Sequence, residues 1–267
     1  MPFADNPLDA YRGALDAFPV RMGVSSFVWP AGYAENAKRL KGVFGEVQLL
    51  AYEALDQSPV TDDELRQLAA LKDGGFSYSL HLPAPSGLAA PGGAGEAAII
   101  KAVETFAPAG IGNYVLHIEQ NGHFDLPLAA KRLERILKKT GVAPERICVE
   151  NTVGTPFAPV WEAVKGLGVS VCFDIGHHIY EKGEPLAFID TYGRRIRMCH
   201  IHGVADRDHR PLSALPEETL TAVLAAVADC KPAGAVIIEN FSVGDVVESV
   251  RCLAHGARRF FNVAAQQ

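Results

Sequence analysis

The sequence predicts an α/β protein, a (β/α)8 TIM barrel, on three observations. Eight short runs rich in apolar and β-branched residues recur along the chain, and a segment with helical spacing follows each of them. The step from one run to the next is about 30 residues, which suits a βαβ unit. Eight such units in 267 residues fit that barrel.

The expected strands are Met22–Val28, Gly45–Ala51, Phe76–Pro83, Asn113–Glu119, Ile147–Thr152, Val169–Ile175, Ile196–Gly203 and Ala235–Phe241. Most are nearly continuous apolar runs, as parallel strands covered on both faces require. The expected helices are Tyr33–Val43, Thr61–Lys72, Glu96–Phe106, Pro127–Lys139, Pro156–Lys165, Pro185–Tyr192, Pro216–Ala228 and Val243–Ala254. Thr61-Asp62-Asp63-Glu64 opens one with a capping residue and an acidic turn, and Pro127, Pro156 and Pro216 suit helix starts. A further helix, about Pro7–Phe18, precedes the first strand. No Ser/Gly-rich linker divides the chain, so residues 1–267 read as one domain. Pro83–Gly95 is the loop best placed to cover a site. The rival is an open doubly wound sheet, but no G-x-G-x-x-G follows the first strand.

Lys plus Arg is 25 and Asp plus Glu is 31, a formal charge of −6. That balance argues against a protein that grips long nucleic acid, and a small-molecule substrate is expected. At 48 % hydrophobic and 21 % charged, the chain is not disordered. No apolar run approaches the roughly 20 residues of a membrane helix, and no signal peptide is visible. Cys148, Cys172, Cys199, Cys230 and Cys252 are scattered and form no CxxC pair. They read as reduced, mostly buried thiols, and the expected location is the cytoplasm.

Catalytic groups of such barrels sit at the C-terminal strand ends. Strands three to eight end in YSLHLP, YVLHIE, ICVENT, VCFDIGHH, MCHIHG and VIIENF. These supply His81, His117, Glu150, Asp174 with His177 and His178, His200 with His202, and Glu239. Seven of the nine histidines, counting His209, lie at or just past strand ends. One buried His or Glu is usually a satisfied polar group. Six successive strand ends converging with one each form a cluster that is costly unless paired or metal-bound. His200 and His202 face the same side of their strand. His200 is the expected ligand, and His202 is expected to bind substrate or support the ligands. Asp174 and His177, three apart, can face one site, whereas His178 has the weaker claim. Asp206, Asp208 and His209 could add ligands. His123 and His255 are expected at the surface. Imidazole and carboxylate ligands fit zinc, manganese, iron or cobalt.

The set of Glu150, Asp174-x-x-His177, His200 and Glu239 on strands five to eight resembles the xylose isomerase-like TIM barrels. That superfamily includes sugar and sugar-phosphate isomerases and epimerases, and the endonuclease IV branch (AP endonuclease family 2). The epimerases typically hold one metal with the Glu, Asp, His and Glu. Endonuclease IV-like members hold three, adding a His from each of strands three and four, the His of D-x-x-H, and an Asp-x-His pair after strand seven. His81, His117 and His177 stand in the matching places. Asp206 and Asp208-His209 stand where the Asp-x-His would, with altered spacing.

The resemblance implies divalent metal ions, one to three per chain. His81, His117, Glu150, Asp174, His177, His200, Asp208, His209 and Glu239 would be ligands, with Glu150, Glu239 and His202 in catalytic roles. His202, Arg207 and Arg210 would bind substrate. VSSFVWPAGYAENAKRL, GEVQLLAYEA, HLP and HIHGVADRDHRPL look similar to cobamide-remodelling phosphodiesterases. The expected function is a metal-dependent hydrolase of a small phosphodiester, with cobamides as one such substrate. The alternative is a sugar or sugar-phosphate isomerase or epimerase, in which Glu150 and Glu239 exchange protons on two faces of the sugar. The oligomeric state is not read from the sequence.

Overall fold

The computed structural model describes residues 6–51, 60–92, 95–119 and 124–262, with side chains through residue 256. His123 lies outside the described residues. Eight parallel strands close into a barrel in sequence order. They are β1 (Arg21–Ser25), β2 (Glu46–Leu50), β3 (Ser77–His81), β4 (Tyr114–Leu116), β5 (Ile147–Glu150), β6 (Ser170–Asp174), β7 (Ile196–Ile201) and β8 (Ala235–Ile238). Pairing of Met22 with Val236 and of Val24 with Ile238 closes the ring and leaves no free sheet edge.

Helices α1 (Tyr33–Leu40), α2 (Asp62–Leu71), α3 (Gly95–Phe106), α4 (Leu126–Thr140), α5 (Phe157–Val164), α6 (Ile175–Tyr180), α7 (Pro185–Tyr192), α8 (Glu217–Cys230) and α9 (Val243–Asn262) lie between and after the strands. Thr61 caps α2 by accepting from the Glu64 backbone N–H at 3.2 Å, as its sequence predicts. Asp125 caps α4 through Leu128 at 2.9 Å. Tyr33 packs edge-on against Phe106 at 5.3 Å between ring centres, and its hydroxyl donates to the Leu50 carbonyl at 2.7 Å. That contact joins α1, α3 and β2 in one core.

All eight strands are shorter than their expected runs, β1 ending at Ser25, β4 spanning Tyr114–Leu116 and β8 ending at Ile238, and two further differences concern the kind of element. The expected helix over Pro7–Phe18 is a 3-10 helix, Pro7–Tyr11, followed by turns. Gly13, at φ +73°, takes a left-handed conformation that a helix cannot continue through. The sixth strand, expected to reach Ile175, ends at Asp174, and Ile175 begins α6. The Asp174 carboxylate accepts from the His177 backbone N–H at 2.6 Å and caps that helix.

Side chains two apart on a strand share a face. Ser79, Val115, Cys148, Cys172, Met198 and Ile237 therefore lie one layer below His81, His117, Glu150, Asp174, His200 and Glu239. Under β4–β8 this layer is apolar: Val115, Cys148, Cys172, Met198, Ala235 and Ile237 form one buried cluster. Under β2–β3 it is polar, with Glu46, Gln48 and Ser79 all buried. Gly23 admits the crowding between the two halves, because a Cβ there would stand 2.5 Å from Ile237 Cδ1 and 2.9 Å from the Glu46 carbonyl oxygen.

Phe106→Ala removes a fully buried ring at the helix–barrel junction and should cost about 3–5 kcal/mol. Thr61→Ala, which removes only a cap, should cost about 1 kcal/mol. Urea denaturation measures both, and a Phe106→Ala loss no larger than that of Thr61→Ala contradicts the assignment.

Candidate metal centre

Each strand from β3 to β8 delivers its chemistry where ladder pairing ends. His81 and Glu150 are the last residues of β3 and β5, and His117 and Glu239 follow β4 and β8 directly. His81 Nδ1 lies 2.9 Å from the Leu82 carbonyl, which can only accept, so Nδ1 carries the proton and Nε2 presents a lone pair. That Nε2 lies 3.1 Å from His117 Nε2 and 3.5 Å from Glu150 Oε2. His117 Nε2 lies 3.0 Å from the same oxygen. Two imidazoles thus converge on Glu150 Oε2.

The other oxygen of Glu150 faces a different group. Oε1 lies 3.2 Å from His200 Nδ1, which also lies 3.2 Å from Glu239 Oε2 and 3.8 Å from Asp174 Oδ2. Donor atoms of Glu150, Asp174, His200 and Glu239 fall within 4.8 Å of one another, and so do those of Glu150, His81 and His117. All but His117 of these residues are buried.

A third group stands beside them. His177, His202 and His209 bring donor atoms within 4.8 Å. Asp208 Oδ2 lies 3.8 Å from Nε2 of both His177 and His209. His209 adopts φ +52°, unusual for a non-glycine residue. Its backbone N–H donates to His202 Nδ1 at 2.9 Å, and Asn240 Nδ2 donates to its carbonyl at 3.2 Å. Its Nδ1 faces the Glu239 carbonyl at 3.2 Å, which turns Nε2 toward Asp208. His202 is fully buried and points Nε2 at Asp174 Oδ1, 3.3 Å away. A Cβ on Gly176 would stand 2.1 Å from the His202 ring, so only glycine leaves room for it.

Sequence reasoning missed four residues here. Asn151 grips the Asp174 backbone with both side-chain atoms at 2.8 Å and staples the ends of β5 and β6. Asn240 holds the His209 and Arg210 carbonyls while accepting from Ser249 Oγ at 2.7 Å. The signal was the Glu-Asn pair repeated at 150–151 and 239–240. Glu119 Oε1 lies 3.2 Å from His117 Nδ1. Cys172 sits directly below, its sulfur within 4.8 Å of donor atoms of Glu150 and His200.

Other expected residues stand apart. Arg207 is exposed and donates to the Asp208 backbone carbonyl at 3.2 Å, while Arg210 Nε lies 3.7 Å from the Asp206 carboxylate. Gly203 and Arg210 pair across the base of the intervening loop, and Asp206 on that loop is 77 % exposed. His178 packs on Phe173 and Phe188. His255 is exposed on α9, as expected. All five cysteines are free thiols.

The electrostatics follow from burial and pairing. Burial alone would push His117 down, but the charges and hydrogen bonds of Glu150 and Glu119 outweigh it and lift it to about 10. His202 is lifted to about 9 against burial, chiefly by Asp174. Against burial, the facing carboxylates of Glu150 and Glu239 hold His200 well above its ordinary range. Burial would raise the carboxyls of Glu150, Asp174 and Glu239, yet the facing imidazoles hold all three low. Burial lowers His209.

Asp174 Oδ2 is buried without a hydrogen-bond partner and lies 3.8 Å from His200 Nδ1. An unsatisfied buried acceptor beside imidazole nitrogens fits a divalent cation. His81, His117 and Glu150 would hold one ion, and Glu150, Asp174, His200 and Glu239 a second. His177, His209 and Asp208 lie where a third would be held.

No match to a curated protein sequence is found. Solved structures share the fold. A D-tagatose 3-epimerase-like protein aligns over 92 % of this chain and 98 % of its own, with 18 % identity and a TM-score of 0.70. Endonuclease IV from Thermus thermophilus aligns over 91 % and 99 %, with 19 % identity and a TM-score of 0.69. An L-ribulose 3-epimerase aligns over 92 % and 97 %, with 15 % identity and a TM-score of 0.71. The family model described as xylose isomerase-like TIM barrel matches residues 34–256. The chain therefore belongs to the xylose isomerase-like TIM barrel family.

Proposed function

We propose that this protein is a metal-dependent hydrolase of a small-molecule phosphodiester, the nucleotide loop of a cobamide being the first substrate to test. One observation carries the reading: the two oxygens of Glu150 face two different ligand groups, as a carboxylate bridging two ions requires. Clustered ions would supply Lewis acidity and a nucleophile drawn from water, suited to an in-line displacement at phosphorus. The chain's own residues do the positioning. Glu150, Asp174 and Glu239 supply the negative charge, the Asn151 and Asn240 staples hold their strand ends, and the backbone carbonyls at His81 and His209 fix the ring faces. The net charge of −6 favours a small substrate over a long polyanion.

A second reading has its own support. Glu150, Asp174, His200 and Glu239 form a complete four-donor set without the other histidines, and structures named as sugar 3-epimerases share the fold. In that reading one ion per chain would polarise a sugar while Glu150 and Glu239 move protons.

Metal count separates the two. Protein purified without chelator should carry two or three ions by elemental analysis and, loaded with zinc, manganese, iron or cobalt, should hydrolyse cobamides. A single ion with epimerisation of ketoses supports the second reading, and no cobamide product with any of the four metals rejects the substrate. Glu150→Gln should lose at least one ion and about 10²–10³-fold in kcat, because it unseats both ligand groups at once.

Proton linkage gives a further expectation. His117 and His202, lifted from 6.5 to about 10 and about 9, stabilise the metal-free fold fully below pH 6.5 and lose that contribution as pH rises through those values. The lowered carboxyls contribute above their ordinary range and lose it as pH falls. Metal-free protein should therefore lose thermal stability from pH 6.5 toward 9. Ions replace protons at the same atoms, so zinc should raise Tm more at pH 8 than at pH 6. A larger gain at pH 6 contradicts the ligand assignment.

A further inference from the structure

We infer that Glu119 is a positioning residue that ties the His81–His117 end of the centre to the loop over residues 82–92. The inference rests on the metal reading above. Glu119 lies two residues past His117 in the chain leaving β4, and its Oε1 stands 3.2 Å from His117 Nδ1. A carboxylate accepting the N–H of one ring nitrogen fixes the tautomer and turns the other nitrogen's lone pair toward an ion. Here that other nitrogen is Nε2, 3.0 Å from Glu150.

The two histidines at this end are oriented by different devices. His81 uses the backbone carbonyl of Leu82, which follows it directly in the chain. His117 uses a side chain, which can be displaced.

Glu119 has a second set of partners. Its Oε2 accepts from the Ser86 backbone N–H at 3.1 Å and from Ser86 Oγ at 3.2 Å. Ser86 is buried within the loop that follows β3. That loop is clamped from α4: Arg132 Nη1 donates to the carbonyls of Gly87, Leu88 and Ala90 at 3.2, 2.8 and 2.6 Å. The Asp125 backbone N–H holds the Ala89 carbonyl at 3.0 Å. One carboxylate therefore divides its oxygens between a ligand histidine and a seated loop. Seating of the loop fixes Glu119, and Glu119 fixes His117.

The test is a cobalt(II) titration of metal-free protein, followed by visible absorption and ion count, beside amide hydrogen exchange of segment 82–92. Wild type should bind two or more ions, and binding should slow exchange in the segment. Glu119→Gln keeps the size but removes the charge. It should weaken one ion by about 10- to 100-fold, leave the others unchanged, and abolish the slowing. Ser86→Ala, which leaves Glu119 intact, should weaken the same ion less. If Glu119→Gln fails to fold, Glu119→Asp and Ser86→Ala carry the test, each expected to weaken that ion alone. Unchanged cobalt binding in a folded Glu119 variant, or equal weakening of every ion, overturns the inference. Wild type that binds a single ion overturns the multi-ion reading instead.

Discussion

Three carboxylates crowded out of water at one end of the barrel are the constraint from which the rest of the centre follows. Glu150, Asp174 and Glu239 present oxygens within 4.8 Å of one another and are almost wholly buried. Like charges so placed repel strongly at low effective dielectric. They need positive charge, and the histidines around them are the only source within reach among the described contacts. Protonated imidazoles satisfy the carboxylates without metal, and the same nitrogens would be free to bind a cation once the protons leave. The high His117 and the low carboxyls are two views of this one balance.

The barrel is well made for holding such a cluster. Parallel strands bring their ends together, and a closed ladder lets no strand shift alone. Local devices then refine each position. Asp174 both offers a carboxylate and caps the helix that carries His177. Gly176 makes room for His202, and His209 is held in a left-handed turn by its neighbours' hydrogen bonds. Backbone strain of this sort persists only where the surroundings enforce it.

Much of this was legible in the sequence. The eight apolar runs and the polar residue ending each of the last six gave the barrel and most of the buried His/Asp/Glu cluster, because strand periodicity and strand-end chemistry are local signals. What was not legible depended on contacts distant in the chain. Glu119 looked like the tail of a strand until its partners His117 and Ser86 were seen on both sides of it. Asn151 and Asn240 fell inside the expected fifth and eighth strands with no role marked, since their work is on backbone atoms of other segments. Arg207 and Arg210 drew attention as substrate-binding cations by proximity in sequence, and in the fold Arg207 donates to the Asp208 carbonyl while Arg210 Nε lies 3.7 Å from the exposed Asp206 carboxylate. The segment Pro7–Phe18 has helical composition, yet Gly13 ends its regular structure.

The oily layer beneath β4–β8 also bears on which ions the proposed centre would accept. Two of its members are thiols, and the Cys172 sulfur lies within 4.8 Å of donor atoms of Glu150 and His200. Burial pushes the Cys172 thiol far up and Cys148 up to about 12, so both keep their protons and make poor ligands. To ions of hard or borderline character the centre is then purely oxygen and nitrogen. A soft, thiophilic ion would have to displace the Cys172 proton to gain a sulfur ligand. The protonated thiols in the floor would thereby set the chemical hardness of such a centre.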